Sequence, residues 1–437
     1  MKPGKTKMTV LAIQHVLAMY AGAVIVPIIT GSSLGMNSRQ LTYLVSIDIF
    51  MSGLATLLQI WKNRFFGIGL PIMLGCTFTA VGPMIAIGKQ YGVSAVYGAI
   101  LVSGLFVILI SKFFSKLARF FPPVVTGSVV TIIGVTLIPV AMKDMAGGDG
   151  SKDFGSLANI ALSFGTLLII VLLQRFAKGF IRSISILIGL ALGTVSAALL
   201  GKVSFAPVAE ASWVHIVQPF YFGAPTFEWS ACITMIFVAL VSLVESSGVY
   251  FALSGITKQP IHEDDLARGY RAEGLAVMLG GLFNAFPYTA FSQNVGLIQL
   301  SGVKSKNVMA LAGTFLLLFG LIPKLGALTT IIPSSVLGGA MIAMFGMVIA
   351  SGIKMLSKVD FANNENLFII ACSIGIGLGV TVVPDIFKGL PSNIQLLTQS
   401  GIVAGSVTAI VLNLFFHILP NKQEAKAKVK KVGTQAS

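Results

Sequence analysis

Four titratable residues fall inside long apolar runs of this 437-residue chain: His15, Asp48, Glu245 and Glu273. An ionisable group at the centre of a bilayer costs about 2.5–3.5 kcal/mol on insertion scales, so each is a candidate for function as well as for structural hydrogen bonding. Glu245 stands in Ala239-Leu-Val-Ser-Leu-Val-Glu-Ser-Ser-Gly248, where the small residues Ser246, Ser247 and Gly248 leave room for a ligand. A carboxylate accepts two hydrogen bonds side by side, which suits adjacent ring N–H groups; the alternative is a bond between helices. Gln293 carries a donor and an acceptor in a fixed pair. That pair matches a lactam edge, and a buried amide without a partner is costly. His15 both donates and accepts when neutral, so it relays a proton, orients a carboxylate, or is a satisfied core histidine. Glu273 follows Arg271-Ala and either titrates or pairs with Arg271. Asp48, in Val45-Ser-Ile-Asp-Ile49, reads as structural before functional. Phe78 and Phe291 flank interrupted segments, where a ring either stacks on a flat heterocycle or simply packs.

Other chemistries find little support. No HExxH, GxSxG or paired-aspartate constellation is present, so an enzyme is not indicated. Cys76, Cys232 and Cys372 all lie in apolar runs without a CxxC or Cys/His cluster, which points to neither a metal nor a disulfide framework. Gly375-Ile-Gly-Leu-Gly379 reads as small-residue packing between membrane helices, not a nucleotide loop. His262-Glu-Asp-Asp265 reads as a solvated helix cap. An anion exchanger or channel would want a cation in the pore, and no Lys or Arg falls at mid-span.

The elements that must position these side chains are membrane spans. The chain is 55% hydrophobic and 10% charged, with mean hydropathy +0.90, against roughly 25% charged in a soluble domain. Apolar runs of about 20 residues, the length of a spanning helix, recur from end to end. About 14 spans are expected, among them 270–286 and 307–330, and the first is a retained span rather than a signal peptide. The net charge is +15. With both termini inside, 23 of the 30 Lys and Arg residues fall on inner segments and 7 on outer ones. The positive-inside rule thus accounts for the basic balance without nucleic acid. The Lys-rich tail after Pro420 either meets anionic lipid or merely solubilises.

Two pairs of stretches repeat at nearly equal offsets. Pro122-Pro-Val-Val-Thr-Gly127 parallels Pro333-Ser-Ser-Val-Leu-Gly338, and Thr77-Phe78 parallels Ala290-Phe291. Two halves of seven spans each would be inverted relative to one another, an arrangement found in secondary transporters, whose sites lie at the repeat interface between discontinuous helices. Stretches 71–83 and 284–296 carry the interruptions: Pro71, Gly75, Gly82 and Pro83 in one, Pro287 and the polar run Thr289, Ser292, Gln293, Asn294 in the other. A short extended segment followed by a half-helix is expected in spans 3 and 10, with helix N-termini aimed at the ligand.

Ser292-Gln-Asn-Val-Gly-Leu-Ile-Gln-Leu-Ser-Gly302 resembles the signature of the nucleobase–ascorbate transporter family, Q/E-N-x-G-x-x-x-x-T, with Ser301 in place of the threonine. Gln14-His15, the Pro71…Gly75…Thr77-Phe78 stretch and Glu245-Ser-Ser-Gly248 are also similar to that family. The resemblance covers nearly the whole chain. It implies an all-α polytopic membrane protein with about 14 transmembrane spans as two inverted 7-span repeats. It divides the chain into a core domain (1–113 and 229–330), a gate domain (114–228 and 331–420) and a basic cytoplasmic tail (421–437). It implies a homodimer in the cytoplasmic membrane, both termini inside, moving its core like an elevator.

The substrate so implied is a purine base. Glutamine at 293 is similar to the purine branch, xanthine first, with urate, another purine or uracil as alternatives. Glu245, Gln293, Phe78, Phe291 and Asn294 are the implied binding residues, with Phe78 packing on the ring. The base would enter in symport with a proton, the coupling ion, carried by Glu273, His15 or Glu245. No cofactor is implied. Xanthine permeases often have aspartate where this chain has Glu273.

Overall fold

The computed structural model describes residues 5–117, 122–391, 394–395 and 398–418. The Lys-rich tail, Arg119 and the upstream Lys2 lie outside the described residues. Long helices dominate, as apolar runs in lipid require: every backbone N–H and C=O must be satisfied within the protein. In the first half run α1 (Lys5–Ser33), α2 (Ser38–Ile60), strand β1 (Leu74–Cys76), a single 3-10 turn (Phe78–Ala80), α3 (Val81–Tyr91), α4 (Val93–Leu117), α5 (Pro123–Met145), α6 (Leu157–Phe176) and α7 (Ser185–Leu199). The second half runs α8 (Trp229–Thr257), α9 (Glu263–Phe283), strand β2 (Tyr288–Ala290), α10 (Ser292–Ser301), α11 (Lys306–Gly320), α12 (Pro323–Thr330), α13 (Ser334–Leu356), α14 (Asn364–Val382) and α15 (Gly401–Asn413).

Eight of the described helices are long and apolar enough to cross a membrane, and nine if the bent pair α11–α12 counts as one span. This is a multi-pass membrane protein. The apolar run expected as one span over 307–330 is bent by 80° between α11 and α12. Pro323 at the first turn of α12 explains the break, since proline lacks the N–H that a continuing helix needs. The span expected at 270–286 also differs. Its helix begins at Glu263 and ends at Asn284, whose left-handed backbone (φ 59°) closes α9. The cap at 262–265 is present, with Asp265 Oδ2 accepting the His262 N–H at 3.1 Å. It is not solvated as the charge run suggested: Asp265 is buried and paired with Lys62 at 2.7 Å and with Arg268.

The helices pack in two groups. One contains α1–α4 and α8–α12, the other α5–α7 and α13–α15. In the first group α4 lies along α9 and α2 along α11; in the second α5 lies along α13. Glycines form the seams in the first group. A Cβ at Gly104 would come within 2.6 Å of the Met278 amide on α9, and one at Gly53 within 2.6 Å of the Gly313 carbonyl on α11. Such close approach is how helices associate where lipid supplies no hydrophobic drive.

Strands β1 and β2 cross antiparallel inside the first group, with Leu74 opposite Ala290, Gly75 opposite Thr289 and Cys76 opposite Tyr288. They occupy the extended segments expected in the third and tenth spans. Pairing continues past both ends, Thr77 N–H to Pro287 O and Phe291 N–H to Met73 O, each 2.9 Å. Outward amides find hydroxyls on neighbouring helices: Leu74 N–H donates to Thr56 Oγ1 at 3.0 Å and Ala290 N–H to Ser246 Oγ at 3.2 Å.

Asp48 secures the entry to β2. Fully buried on α2, its Oδ1 accepts the Phe286 N–H at 2.9 Å and the Tyr288 hydroxyl at 3.0 Å. Asp48→Ala should therefore leave a buried amide without a partner, a loss of roughly 1–3 kcal/mol. We expect a clearly lower melting temperature for the detergent-solubilised variant and a smaller drop for Asp48→Asn, which keeps an acceptor.

Candidate functional site

The two strands each hand over to a short helix. After β1, Thr77 caps the 3-10 turn by accepting the Thr79 N–H on its Oγ1 at 3.2 Å, and α3 follows. After β2, α10 begins at Ser292 with Phe291 at its N-cap position. Helix N-termini carry unsatisfied N–H groups and partial positive charge, so both half-helices start where a polar ligand gains from them.

A narrow cavity of about 20 Å³ lies at this junction. Phe78, Glu245, Phe291 and Gln293 all line it, together with Cys76, Thr289, Ala290 and Ser292. Val130 of α5 and Val348 and Ser351 of α13 close the far wall. The cavity therefore sits between the two helix groups. That space admits about one water molecule, so a larger ligand requires the walls to part.

Glu245 is half-buried on α8, and Thr79 Oγ1 donates to its Oε2 at 3.4 Å. Gln293 is half-buried too, and among the described residues its carboxamide bonds to no other side chain. Two groups rich in hydrogen-bonding capacity thus face the same space with most of it unspent. An acceptor pair from the carboxylate and a donor–acceptor pair from the amide can bind a planar molecule along two edges. Phe78 supplies an apolar face and meets Phe345 of α13 edge-on at 5.5 Å. Phe291 is 4% exposed. Its ring is wedged between α1 and β1: a Cβ at Gly22 would stand 2.8 Å from Phe291 Cε1, and one at Gly75 2.5 Å from Cε2.

Other sequence-selected residues stand apart from the cavity. Asn294 is buried and turned towards α1, where its Nδ2 donates to His15 Nδ1 and to the His15 carbonyl, each at 3.1 Å. With Nδ1 accepting, the His15 proton sits on Nε2. The partner of His15 is thus an amide and not a carboxylate. Glu273 is 2% exposed on α9 and accepts on Oε1 from the Tyr250 hydroxyl, which itself accepts from Gln59 Nε2. Arg271 does not pair with it; the Arg271 Nε donates to the Ala267 carbonyl at 3.2 Å. A separate small cavity lies beside Glu273, Ser103, Ser242 and Tyr288. Among the described residues no group of three or more His, Cys, Asp or Glu could hold a metal ion.

Thr79, Thr289 and Ser351 are cavity or site hydroxyls that sequence reasoning did not select as ligands. Thr289 had a signal, its place in the polar run 289–294. Ser351 had none, since a lone serine in a membrane helix usually bonds its own backbone, as here to Met347 O at 2.9 Å.

The glycine cradle gives a direct test. Gly75→Ala must displace the Phe291 ring, an overpacking loss of roughly 1–3 kcal/mol. A lower melting temperature in detergent is expected. Gly82→Ala, where an added Cβ meets nothing within 4 Å, should leave it unchanged.

Comparison with known proteins fits this geometry. Residues 6–386 match the model of a family described as the Permease family. The chain is 65% identical over 436 residues to the xanthine permease of Bacillus subtilis (strain 168), covering 100% of this chain and 98% of that protein. It is 61% identical over 424 residues to the uric acid permease PucK of the same organism, covering 97% and 98%. Among solved structures, the murine Solute Carrier 26 family member A9 anion transporter in the inward-facing state shares the fold. Its TM-score is 0.65 at 10% identity, covering 95% of this chain and 69% of that one.

Proposed function

This chain belongs to the nucleobase–ascorbate transporter family, whose members are permeases and not enzymes, and on that premise we propose that it carries a purine base, xanthine first, into the cell in symport with a proton. The observation that carries this reading is the convergence of Glu245, Gln293 and Phe78 on one cavity at the ends of two broken helices. Glu245 takes adjacent ring N–H groups, Gln293 takes the lactam edge, and Phe78 covers the ring. Phe291 forms the floor, and Asn294 acts at one remove, through α10 and His15. Glu273 carries the coupling proton: it is buried, has no cationic partner within ion-pair distance among the described residues, and lies on the helix beside the Glu245 helix. His15 is the alternative carrier.

The names of two relatives, a xanthine permease and a uric acid permease, support a purine and leave the choice between these two to experiment. An anion exchanger of this fold is disfavoured by Glu245, because a carboxylate in the cavity repels an anion and, among the described residues, no Lys or Arg lines it.

The same reading assigns 14 spans in two inverted halves of seven. The long helices, the bent pair α11–α12, the shorter α7 and α15, the charged α9 and the two strand–half-helix units supply that number. Matched packing supports the inversion. The contact of α2 with α11 has its counterpart in α4 with α9, that of α6 with α13 in α5 with α14, and that of α6 with α7 in α14 with α15. The two packing groups correspond to a core and a gate, and the cavity lies between them. The homodimer and the elevator movement rest on the family resemblance.

Sidedness has its own support. Lys62 pairs with Asp265, and Lys304 reaches the Ile256 carbonyl, so three Lys/Arg-bearing loops gather at one end. At the other end Tyr43 reaches Gln218, Thr226 reaches Ser94 and Lys324 reaches Val208. The basic end is cytoplasmic by the positive-inside rule, which puts both termini there.

Uptake of radiolabelled xanthine in cells lacking their own purine permeases tests the function. Accumulation should collapse on adding a protonophore, and unlabelled xanthine should compete better than uracil. Glu245→Ala and Gln293→Ala should each lower uptake by at least about tenfold, the worth of one charged or well-placed hydrogen bond. Uptake equal to the parent in either variant would refute the site.

A further inference from the structure

A second and larger cavity stands in line with the one at Glu245. Its volume is about 200 Å³, against about 20 Å³ at Glu245. Gly82 and Pro83 of α3 line it, with Thr136 and Leu137 of α5, Thr381 of α14 and Gln399 just before α15. Both cavities therefore lie between the same two helix groups. Val130 of α5 lines the smaller one, and Thr136 follows it by six positions on the same helix, roughly 9 Å along the axis. Helix α3 leads away from the 3-10 turn at Phe78 and ends at Tyr91. Close by, Ser94 accepts the Thr226 N–H at 3.2 Å, at the end of the molecule assigned to the outside. The larger cavity thus lies between that end and the Glu245 site.

Its lining suits a flat, neutral molecule. Val81, Ile85 and Ile402 give apolar surface, and among the described residues no Asp, Glu, Lys or Arg lines it. The Thr136 hydroxyl donates to the Ile132 carbonyl and the Thr381 hydroxyl to the Gly377 carbonyl, each at 2.8 Å. With their protons spent, both present lone pairs, which suit ring N–H groups. Gln399 is half-buried, and among the described residues its carboxamide bonds to no other side chain. It brings the same donor–acceptor pair that Gln293 brings to the inner site, and so fits the same lactam edge. No carboxylate accompanies it, so the hold is weaker than at Glu245. A station on a transport route must release its solute onward as well as take it in.

We propose that this outer chamber is a first binding station for the purine base, where Gln399 reads the lactam edge before the base moves on to Glu245 and Gln293. The apolar surface turns away ions, because a charge taken out of water without a partner is costly. Two carboxamides then read the same edge in succession, so a solute lacking that edge is disfavoured at both. Gly82 keeps the chamber open: a Cβ there meets nothing within 4 Å, so a side chain at this position enters the chamber and not a packed seam.

The inference rests on the reading that the chain carries a purine base, and the test separates the two. Full-length Gly82→Cys protein, in cells lacking their own purine permeases, is treated from outside with a membrane-impermeant thiol reagent. The parent gives the background from Cys76, Cys232 and Cys372. Unlabelled xanthine should slow reaction of the introduced thiol, and should still do so when Gln293→Ala is added to impair the inner site. Adding Gln399→Ala should raise the xanthine concentration for half protection by about tenfold, the scale of one well-placed hydrogen bond. Once the thiol has reacted, uptake of labelled xanthine should be lost. Protection that disappears with Gln293, or survives unchanged without Gln399, overturns the station, and so does undiminished uptake after labelling. If Gly82→Cys protein carries xanthine while its thiol reacts equally fast with and without it, the station alone is wrong. If the parent carries no xanthine, the purine reading falls and the station with it.

Discussion

Six residues of extended backbone, Leu74–Cys76 and Tyr288–Ala290, are the constraint on which the rest of the site depends. Extended chain inside a membrane protein is tolerable only when each N–H and C=O has a partner away from lipid. Here the two strands satisfy each other, and Thr56 and Ser246 cap the amides that point outward. Because the partners come from opposite halves of the sequence, neither broken span can form without the other. The site is thus a property of both halves at once, and its two helix N-termini are fixed relative to one another by backbone hydrogen bonds instead of by side-chain packing alone.

Around that crossing, small residues and buried polar groups have separate roles. Gly22 and Gly75 admit the Phe291 ring, which fills the space between α1 and β1. Asp48 ties α2 to the start of β2, and Asn294 ties α10 to α1 through His15. Each of these bonds has both partners inside the protein and ties the crossing to its neighbours. Glu245 and Gln293 differ: they face the cavity with hydrogen-bonding capacity in reserve. Tied surroundings around two under-used polar groups are what a site for a small polar molecule requires, since the cost of ordering is met on folding rather than on binding. The far wall, from α5 and α13, belongs to the other packing group, so movement between the groups would open or close the site.

Much of this was legible in the sequence because lipid makes exceptions conspicuous. A glutamate or glutamine within an apolar run, and prolines that cannot continue a helix, stand out against a uniform background. Glu245, Gln293, Phe78 and Phe291 meet at one cavity for that reason. The contacts of Asn294 and His15 were not legible, because residues 279 positions apart are brought together only by the fold. The cavity wall from Val130, Val348 and Ser351 escaped for the same reason, their types being ordinary for membrane helices. The α11–α12 bend shows a different limit: hydropathy sees a continuous apolar stretch over 307–330, while the single missing N–H of Pro323 decides the geometry.

A structure determined with xanthine bound would decide the matter most directly. Our account predicts the ring edge-on to the Glu245 carboxylate and the Gln293 carboxamide, with Phe78 across its face. Xanthine found elsewhere, for instance in the small cavity beside Glu273 and Ser103, with Glu245 and Gln293 left uncontacted, would contradict it.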